Sequence, residues 1–135
     1  MDKNQFISET KKLGFDTSEF IVIGSGLLAA LELRKVDDID LVVSEKIFEL
    51  FANNPDWSKK KFDDGTFYLC NGIYEIGLDW DSTDTLPNLD DLKLYEIVIG
   101  EVPFINPQRL IKWKKWKGRK KDFEDIKLIE QYLSN

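Results

Sequence analysis

The stretch "IVIGSGLLAALELRKVDDIDLVVS", residues 21–44, decides how this chain folds. It begins with a short apolar run typical of a buried strand. A Gly-Ser-Gly turn follows at residues 24–26, and the Ala- and Leu-rich segment after the turn favours a helix. Residues 38–44 then alternate as a second strand does, which puts Asp38 and Asp40 on one face. The sequence therefore predicts a strand, a turn, a helix and a second strand that carries two carboxylates.

The length and composition of the chain predict one folded domain over residues 1–135. Of its 135 residues, 42% are hydrophobic and 13% are aromatic, as in packed globular proteins. The first residues are polar, and no stretch approaches the roughly 20 apolar residues of a membrane span. We therefore expect a soluble, cytoplasmic protein without a membrane partner. Cys70 has no second cysteine with which to form an internal disulfide, and its apolar neighbours in sequence indicate a buried thiol.

Histidine is absent from the sequence. This excludes histidine-dependent nucleophilic triads, histidine-ligated zinc and imidazole acid-base catalysis, so any chemistry must depend on carboxylates, lysines and metal. The net charge is −6, but it is unevenly distributed. Residues 112–121, "KWKKWKGRKK", hold seven of the 19 basic residues and no acidic one, whereas the rest of the chain carries 12 basic and all 25 acidic residues. Such a separation of charge indicates a place that binds phosphate.

Local signals predict the elements of the first half of the chain outside this stretch. Helices are predicted over residues 2–13 and 45–54, and Ser44 is a suitable N-cap for the second. A β-hairpin is predicted between residues 59 and 80, because an Asn-Gly pair separates two apolar runs there.

The second half is divided in the same way. Residues 81–91 are predicted to form a polar loop, and residues 95–105 a short strand pair that turns at a Gly-Glu pair. A helix is predicted from Pro107 to Lys117, where Gly118 ends it. Residues 121–133 form an amphipathic helix whose predicted inward positions are Phe123, Ile126, Ile129 and Leu133.

These elements can bring several carboxylates together. If the second strand of the hairpin lies beside the strand of Asp38 and Asp40, then Glu75 or Asp79 faces the pair. Like charges in one place are costly unless a cation lies among them, and clustered oxygen ligands suit Mg²⁺. The Gly-Ser-Gly turn at the start of a helix would hold a phosphate against such a metal.

The motifs in these segments resemble those of a known family. An apolar run ending in Gly24-Ser25, a spacer of 12 residues and then Asp-Ile-Asp resemble the signature of the DNA polymerase beta-like nucleotidyltransferase superfamily. Arg34 lies shortly before the Asp pair, as an arginine does in that family. The segment "LIKWKKWKGRKKDFEDIKLIEQYL" is similar to one in small stand-alone members, including the bacterial defence and toxin-antitoxin branch. The residues matched in that segment are Lys114, Arg119, Lys121, Asp122 and Asp125.

The resemblance implies an α+β fold with a nucleotidyltransferase-like mixed β-sheet flanked by helices and with C-terminal helices. It implies that Asp38, Asp40 and a third acid bind two Mg²⁺ or Mn²⁺ ions. A nucleoside monophosphate would pass from an NTP, with ATP expected, to an acceptor hydroxyl on a small molecule, a protein or RNA. This chemistry needs no histidine. The nucleotide-binding residues would be Gly24, Ser25, Arg34, Lys114, Arg119 and Lys121.

Two details depart from this pattern or stay open. Val36 stands where the family often has Thr or Ser. Both Glu75 and Asp79 fit the third metal-binding carboxylate, and similar small members favour Glu75 as the catalytic one. Among the other basic residues of 112–121, we expect Lys112, Lys115 and Lys117 to lie outside the site.

Plainer interpretations exist for the same residues. Asp38 and Asp40 could form the solvent face of an edge strand, although Val42 does not continue the polar alternation. Trp113 and Trp116 are more often packing residues of a helix than a platform for bases. The alternative functions are a catalytically silent nucleotidyltransferase-fold subunit, for binding or for a toxin-antitoxin pair, and an RNA-binding module that uses the basic helix.

Overall fold

The computed structural model describes residues 1–61, 67–79 and 88–135. Seven strands and six helices occur in these ranges. In chain order they are α1 (Lys3–Lys11), β1 (Phe20–Ile23), α2 (Gly26–Ala30), β2 (Ile39–Val43), α3 (Glu45–Ala52), β3 (Ser58–Lys61), β4 (Phe67–Asn71), β5 (Tyr74–Gly77), α4 (Leu89–Lys93), β6 (Ile97–Ile99), β7 (Val102–Phe104), α5 (Pro107–Lys117) and α6 (Lys120–Ser134).

The seven strands form one mixed sheet in the order β3-β4-β5-β2-β1-β7-β6. The β2–β5 and β1–β7 pairs are parallel, and the other neighbours are antiparallel. This confirms an α+β fold with a mixed sheet, flanking helices and C-terminal helices. The two strands of the opening motif, β1 and β2, lie at the centre of the sheet.

The register of the sheet divides its side chains between two faces. Val22, Leu41, Ile76 and Leu69 are successive partners across β1, β2, β5 and β4, and all four are buried. Helix α1 covers this core face, where Phe6 is fully buried against Phe104. Because side chains alternate along a strand, Asp40 projects from the opposite face.

Several local predictions are confirmed. The Ser44 hydroxyl accepts a hydrogen bond from the Ile47 amide at 3.3 Å and caps α3. The hairpin turns at Gly72, and the strand pair turns at Gly100 and Glu101, all with positive φ. Helix α5 has the predicted bounds and ends where Gly118 adopts a left-handed conformation with φ 66°.

Other local predictions are wrong. The sequence "SGLLAALEL", residues 25–33, favours a helix throughout, but α2 ends at Ala30, because Glu32 has a φ of 60°, which a right-handed helix does not accommodate. The lysine-rich strand β3 was not foreseen as a strand, since its side chains are all exposed. The predicted loop 81–91 contains the start of α4, whereas its residues 81–87 lie outside the described residues.

The inward face of α6 also differs from the prediction. Phe123 and Leu133 are 49% and 41% exposed, whereas Ile126 and Ile129 are buried as expected. Asp122 and Asp125 are buried beside them. Apolar periodicity alone did not identify this face, because it is partly ionic.

Across the described ranges, no helix combines the length and apolar character needed to span a membrane.

Candidate functional site

The carboxylates predicted from the sequence line a single cavity of about 440 Å³. Asp40 on β2 and Glu75 on β5 are register partners in the parallel pair. Asp38 is exposed immediately before β2, and Asp79 forms an isolated bridge with Asn88 just after β5. All four acids therefore line the same cavity, which is in the size range of small-molecule sites.

Asp40 is the most perturbed acid of the cavity. The pKa of Asp40 is raised to about 8, first by burial and then by Glu75, through a hydrogen bond and through charge repulsion. Asp38 repels it as well, whereas Lys114 favours its ionised form. The Oδ1 atom of Asp40 is buried and has no hydrogen-bond partner among the described residues. A negative charge at this position thus needs an additional positive partner.

The carboxylate of Asp40 occupies space that a side chain on residue 24 would fill. Gly24 has a φ of +66°, a conformation that side-chain-bearing residues seldom adopt. A Cβ atom placed on Gly24 would lie 2.8 Å from Asp40 Oδ2, closer than such contacts allow. Glycine is therefore favoured here by its backbone conformation, and a side chain at this position would displace the Asp40 carboxylate.

Lys114 connects the helices α5 and α6 to the Gly-Ser-Gly turn. Its side chain is 2% exposed, and its Nζ donates to Asp125 Oδ2 at 2.9 Å and to Ser25 Oγ at 3.3 Å. Asp122 Oδ1 lies 3.7 Å from the same nitrogen. The buried ammonium is thus compensated by two buried carboxylates.

Two arginines complete this ionic network. Arg34 donates to both oxygens of Asp125 at 2.7 Å, and Arg119 donates to both oxygens of Asp122 at 2.6 and 3.1 Å. Burial opposes ionisation of both aspartates, but these bonds and Lys114 outweigh it and lower the pKa of Asp122 and of Asp125. The network links three cations with two anions, so an excess of one positive charge remains.

The other basic residues that the sequence singled out lie partly as predicted and partly elsewhere. Lys121 lines the cavity. Lys117 also lines it, so its predicted location outside the site is wrong. The reason is that α6 folds back on α5 after Gly118, which brings both lysines to the same opening. Trp113 is buried and packs, as expected, whereas Trp116 is 57% exposed.

Sequence reasoning missed Tyr68 as a cavity residue. Tyr68 is the register partner of Gly77 in the hairpin, and it lies on the same sheet face as Glu75. Burial raises the pKa of its phenol, Glu75 raises it further and Lys60 opposes the shift. Counting outward from the Asn-Gly turn would have identified it, because partners across a hairpin follow from the turn.

The donor set suits a hard divalent cation. Carboxylate oxygens are ligands for Mg²⁺ or Mn²⁺, and the unpartnered Asp40 Oδ1 is an oxygen that a cation would satisfy. Within residues 1–61, 67–79 and 88–135, however, no three acidic or other ligating side chains stand ready to hold a metal together. A metal here would therefore require Asp38, Glu75 or Asp79 to move toward Asp40.

The comparisons with known proteins leave the geometry as the basis for assigning a function. No protein-family model matches the chain, and no curated protein and no solved structure is similar enough to count as a match.

Proposed function

We propose that the protein is a metal-dependent nucleotidyltransferase of the DNA polymerase beta-like type, which moves a nucleoside monophosphate from an NTP to an acceptor hydroxyl. The observation that carries the proposal is the pairing of Asp40 with Glu75 on adjacent parallel strands, in a cavity that also contains Lys114, Arg119 and Lys121. Carboxylates for a cation and basic groups for a triphosphate are the two components that this chemistry requires.

The transfer would exchange one phosphoester bond for another. The acceptor oxygen bonds to the α-phosphorus, the bond from that phosphorus to the oxygen bridging to the β-phosphate breaks, and pyrophosphate leaves. The hydroxyl proton passes to a carboxylate of the site, Asp40 or Glu75, and then to water. A bound Mg²⁺ or Mn²⁺ would supply positive charge to the reacting phosphates.

The basic side chains of the cavity, called the basic wall below, would hold the triphosphate mainly through their excess of positive charge. Arg34, Lys114 and Arg119 outnumber their two carboxylate partners by one, and Lys117 and Lys121 add to this wall. Helix α2 has only five residues, so its dipole contributes little to phosphate binding. We therefore assign phosphate recognition to the Ser25 hydroxyl and to these side chains.

A silent nucleotidyltransferase-fold subunit is the second candidate. It is favoured by the pairing of Arg34, Lys114 and Arg119 with Asp122 and Asp125, since such internal ion pairs also have a purely structural use. Its test is the same experiment, because a silent protein would neither transfer a nucleotide nor respond to metal.

The proposal is tested by incubating the protein with Mg²⁺ or Mn²⁺, each α-labelled NTP and fractions of a cell lysate. We expect one NTP to label an acceptor, and Asp40→Asn to lower the rate by more than ~100-fold, about 3 kcal/mol of barrier. Asp90→Asn, which changes an exposed aspartate of α4 in the same way, should leave the rate unchanged.

Thermal unfolding gives a second readout. Mg²⁺ with a non-hydrolysable NTP should raise Tm more than the NTP alone, because a ligand that binds the folded state stabilises it.

Comparing Glu75→Gln with Asp79→Asn identifies the third carboxylate, since only the loss of a metal ligand should raise the Mg²⁺ concentration needed for transfer. The proposal is abandoned if no NTP labels any acceptor and Tm is insensitive to metal.

A further inference from the structure

The sheet face that bears Asp40 and Glu75 extends beyond them to the edge of the sheet. In register, Glu75 on β5 lies opposite Cys70 on β4, which lies opposite Ser58 on β3. Partners across a sheet project to the same face, so these side chains continue the row of the carboxylates. Their exposure increases outward, from partly buried Cys70 to exposed Ser58.

The neighbouring row supplies an aromatic ring and a cation. It runs from Gly77 on β5 to Tyr68 on β4 and Lys60 on β3. Gly77 is buried and has no side chain, and it lines the cavity together with Tyr68, so the tyrosine borders the cavity directly. Lys60 is exposed at the end of this row. A ligand that leaves the cavity in this direction thus meets first a ring and then a positive charge.

The edge strand is basic on its other face as well. Lys59 and Lys61 place their ammonium groups 4.3 and 5.9 Å from the ring centroid of Phe67, which is 45% exposed. Among the described residues, β3 is the end strand of the sheet and β3 and β4 contain no acidic residue. In sequence, Asp56 precedes the strand and Asp63 and Asp64 follow it, so the run of positive charge is confined to the strand itself.

This surface and the basic helices lie on opposite sides of the carboxylates. In the strand order, β4 and β3 follow β5 on one side of β2, whereas β1, which leads into Ser25, lies on the other. Lys114 bonds to Ser25 and so belongs to the β1 side. If the triphosphate occupies the Ser25 side, as in the proposed function, the side of Tyr68 and Lys60 is left for the acceptor.

We propose that the β3–β4 surface, formed by Ser58, Lys60, Tyr68 and Cys70, binds the acceptor and that the acceptor is a single-stranded nucleic acid with a terminal hydroxyl. A base would stack on the Tyr68 ring, and a phosphate would contact Lys60. Aromatic rings interleaved with cations are the elements by which proteins bind single strands. Adjacent strands lie about 4.8 Å apart, so β3 is about 10 Å from β5, a distance that a few nucleotides span.

This inference rests on the proposed function, and the chemistry is the same transfer. The terminal hydroxyl oxygen of the strand bonds to the α-phosphorus of the NTP, pyrophosphate leaves, and the hydroxyl proton passes through a site carboxylate to water. The strand is longer by one nucleotide after each turnover. An open sheet edge suits a polymer, because the chain beyond the terminal nucleotides can extend into solvent.

The test measures binding of a fluorescein-labelled oligouridylate of about 12 nucleotides by anisotropy over a range of salt concentrations. Lys60→Glu should weaken binding at least tenfold and lower the salt slope by about 0.7 to 1.4, since it replaces a phosphate contact by a repulsion. Tyr68→Ala should also weaken binding about tenfold, whereas Tyr68→Phe, which keeps the ring, should retain most of the affinity. Lys112→Glu and Lys115→Glu are the matched controls, because they reverse exposed lysines of the basic helix α5, and they should change affinity less than threefold. Circular dichroism of each variant verifies that it is folded.

The outcomes separate the acceptor surface from the function on which it rests. The inference is overturned if the wild-type protein does not bind the oligonucleotide, if Lys115→Glu weakens binding as much as Lys60→Glu, or if the labelled acceptor in lysate is a protein. If the wild-type protein binds the oligonucleotide through Lys60 and Tyr68, but no NTP labels any acceptor and Tm is insensitive to NTP and metal, the transferase proposal fails and the binding surface stands.

Discussion

At the scale of single residues, the site depends on how closely Gly24 approaches Asp40. The glycine has a left-handed backbone, and the carboxylate occupies the space that a side chain on residue 24 would need. Gly14 has nearly the same φ, +69°, but a Cβ placed there would meet nothing within 4 Å. A substitution at Gly14 therefore measures the cost of the backbone conformation alone, whereas one at Gly24 also includes the cost of displacing the Asp40 carboxylate.

We predict that Gly24→Ala is more damaging than Gly14→Ala. Both substitutions should lose about 1 kcal/mol of unfolding free energy from the left-handed conformation. Gly24→Ala should lose at least about 1 kcal/mol more, because overpacking displaces the carboxylate, and it alone should reduce nucleotide transfer. Urea unfolding and the transfer assay measure the two effects. Equal losses of stability, with transfer retained in both variants, would show that the position of Asp40 does not depend on Gly24.

At the scale of elements, α5 and α6 act as a pair that fixes Lys114 beside the central strands. Asp122 lies in the first turn of α6 and accepts from the Arg119 amide at 3.1 Å, so the start of the helix and the ionic network share one carboxylate. Asp125, one turn later, receives Arg34 from the segment between α2 and β2. A helix pair and a distant loop are thus joined through two acids.

We predict that Lys114→Met lowers the unfolding free energy by roughly 3 kcal/mol or more, because it leaves buried carboxylates with less compensation. Lys115→Met, one residue away on the exposed side of α5, should change it by less than about 0.5 kcal/mol. The double variant with Asp125→Asn should be more stable than the sum of the single changes implies, by about 1 kcal/mol. Additive effects in urea unfolding would refute a direct interaction between Lys114 and Asp125.

At the scale of the whole molecule, the perturbed carboxyls determine how stability varies with pH. The lowered pKa values of Asp122 and Asp125 add stability that is present above about pH 4 and is lost as the pH falls through their folded-state values. The pKa of Asp40 is raised from an ordinary value of 3.8 to about 8, so between these values the folded protein keeps a proton that the unfolded chain releases. That proton makes stability fall as the pH rises from about 4 to about 8.

We therefore predict that the metal-free protein is most stable near pH 4 to 5, and that Asp40→Asn removes the decline toward pH 8 (a range of about 4 pH units). At the alkaline end the variant should be roughly 5 kcal/mol more stable than the wild-type protein, because a shift of about 4 pKa units corresponds to about 1.4 kcal/mol per unit and the variant no longer has to ionise a buried group. Denaturant unfolding across this range, with Asp90→Asn as control, measures the difference. If the stability of Asp40→Asn falls toward pH 8 as much as that of the wild-type protein, another titrating group causes the decline.

Short-range signals determined much of this fold from the sequence alone. The cap at Ser44, the Asn-Gly hairpin, the turn at Gly100 and the bounds of α5 depend on residues within a few positions of one another, and all were predicted. The same holds for Asp40 on β2, because strand alternation needs no partner to be recognised, whereas Asp38 lies just before the strand rather than in it. The two central strands of the sheet were therefore evident before any tertiary contact was known.

Tertiary structure decided which of these residues meet. The parallel pairing of β2 with β5 aligned Asp40 with Glu75, and the return of α6 along α5 brought Lys117 and Lys121 to one opening. It also turned Asp122 and Asp125 inward and left Phe123 exposed, against the apolar pattern of the helix. The physical reason is that Asp125 is compensated by Arg34 and Lys114, which are distant in sequence from one another, and Asp122 by Arg119 and Lys114. Burial of a carboxylate is tolerable only where such partners converge.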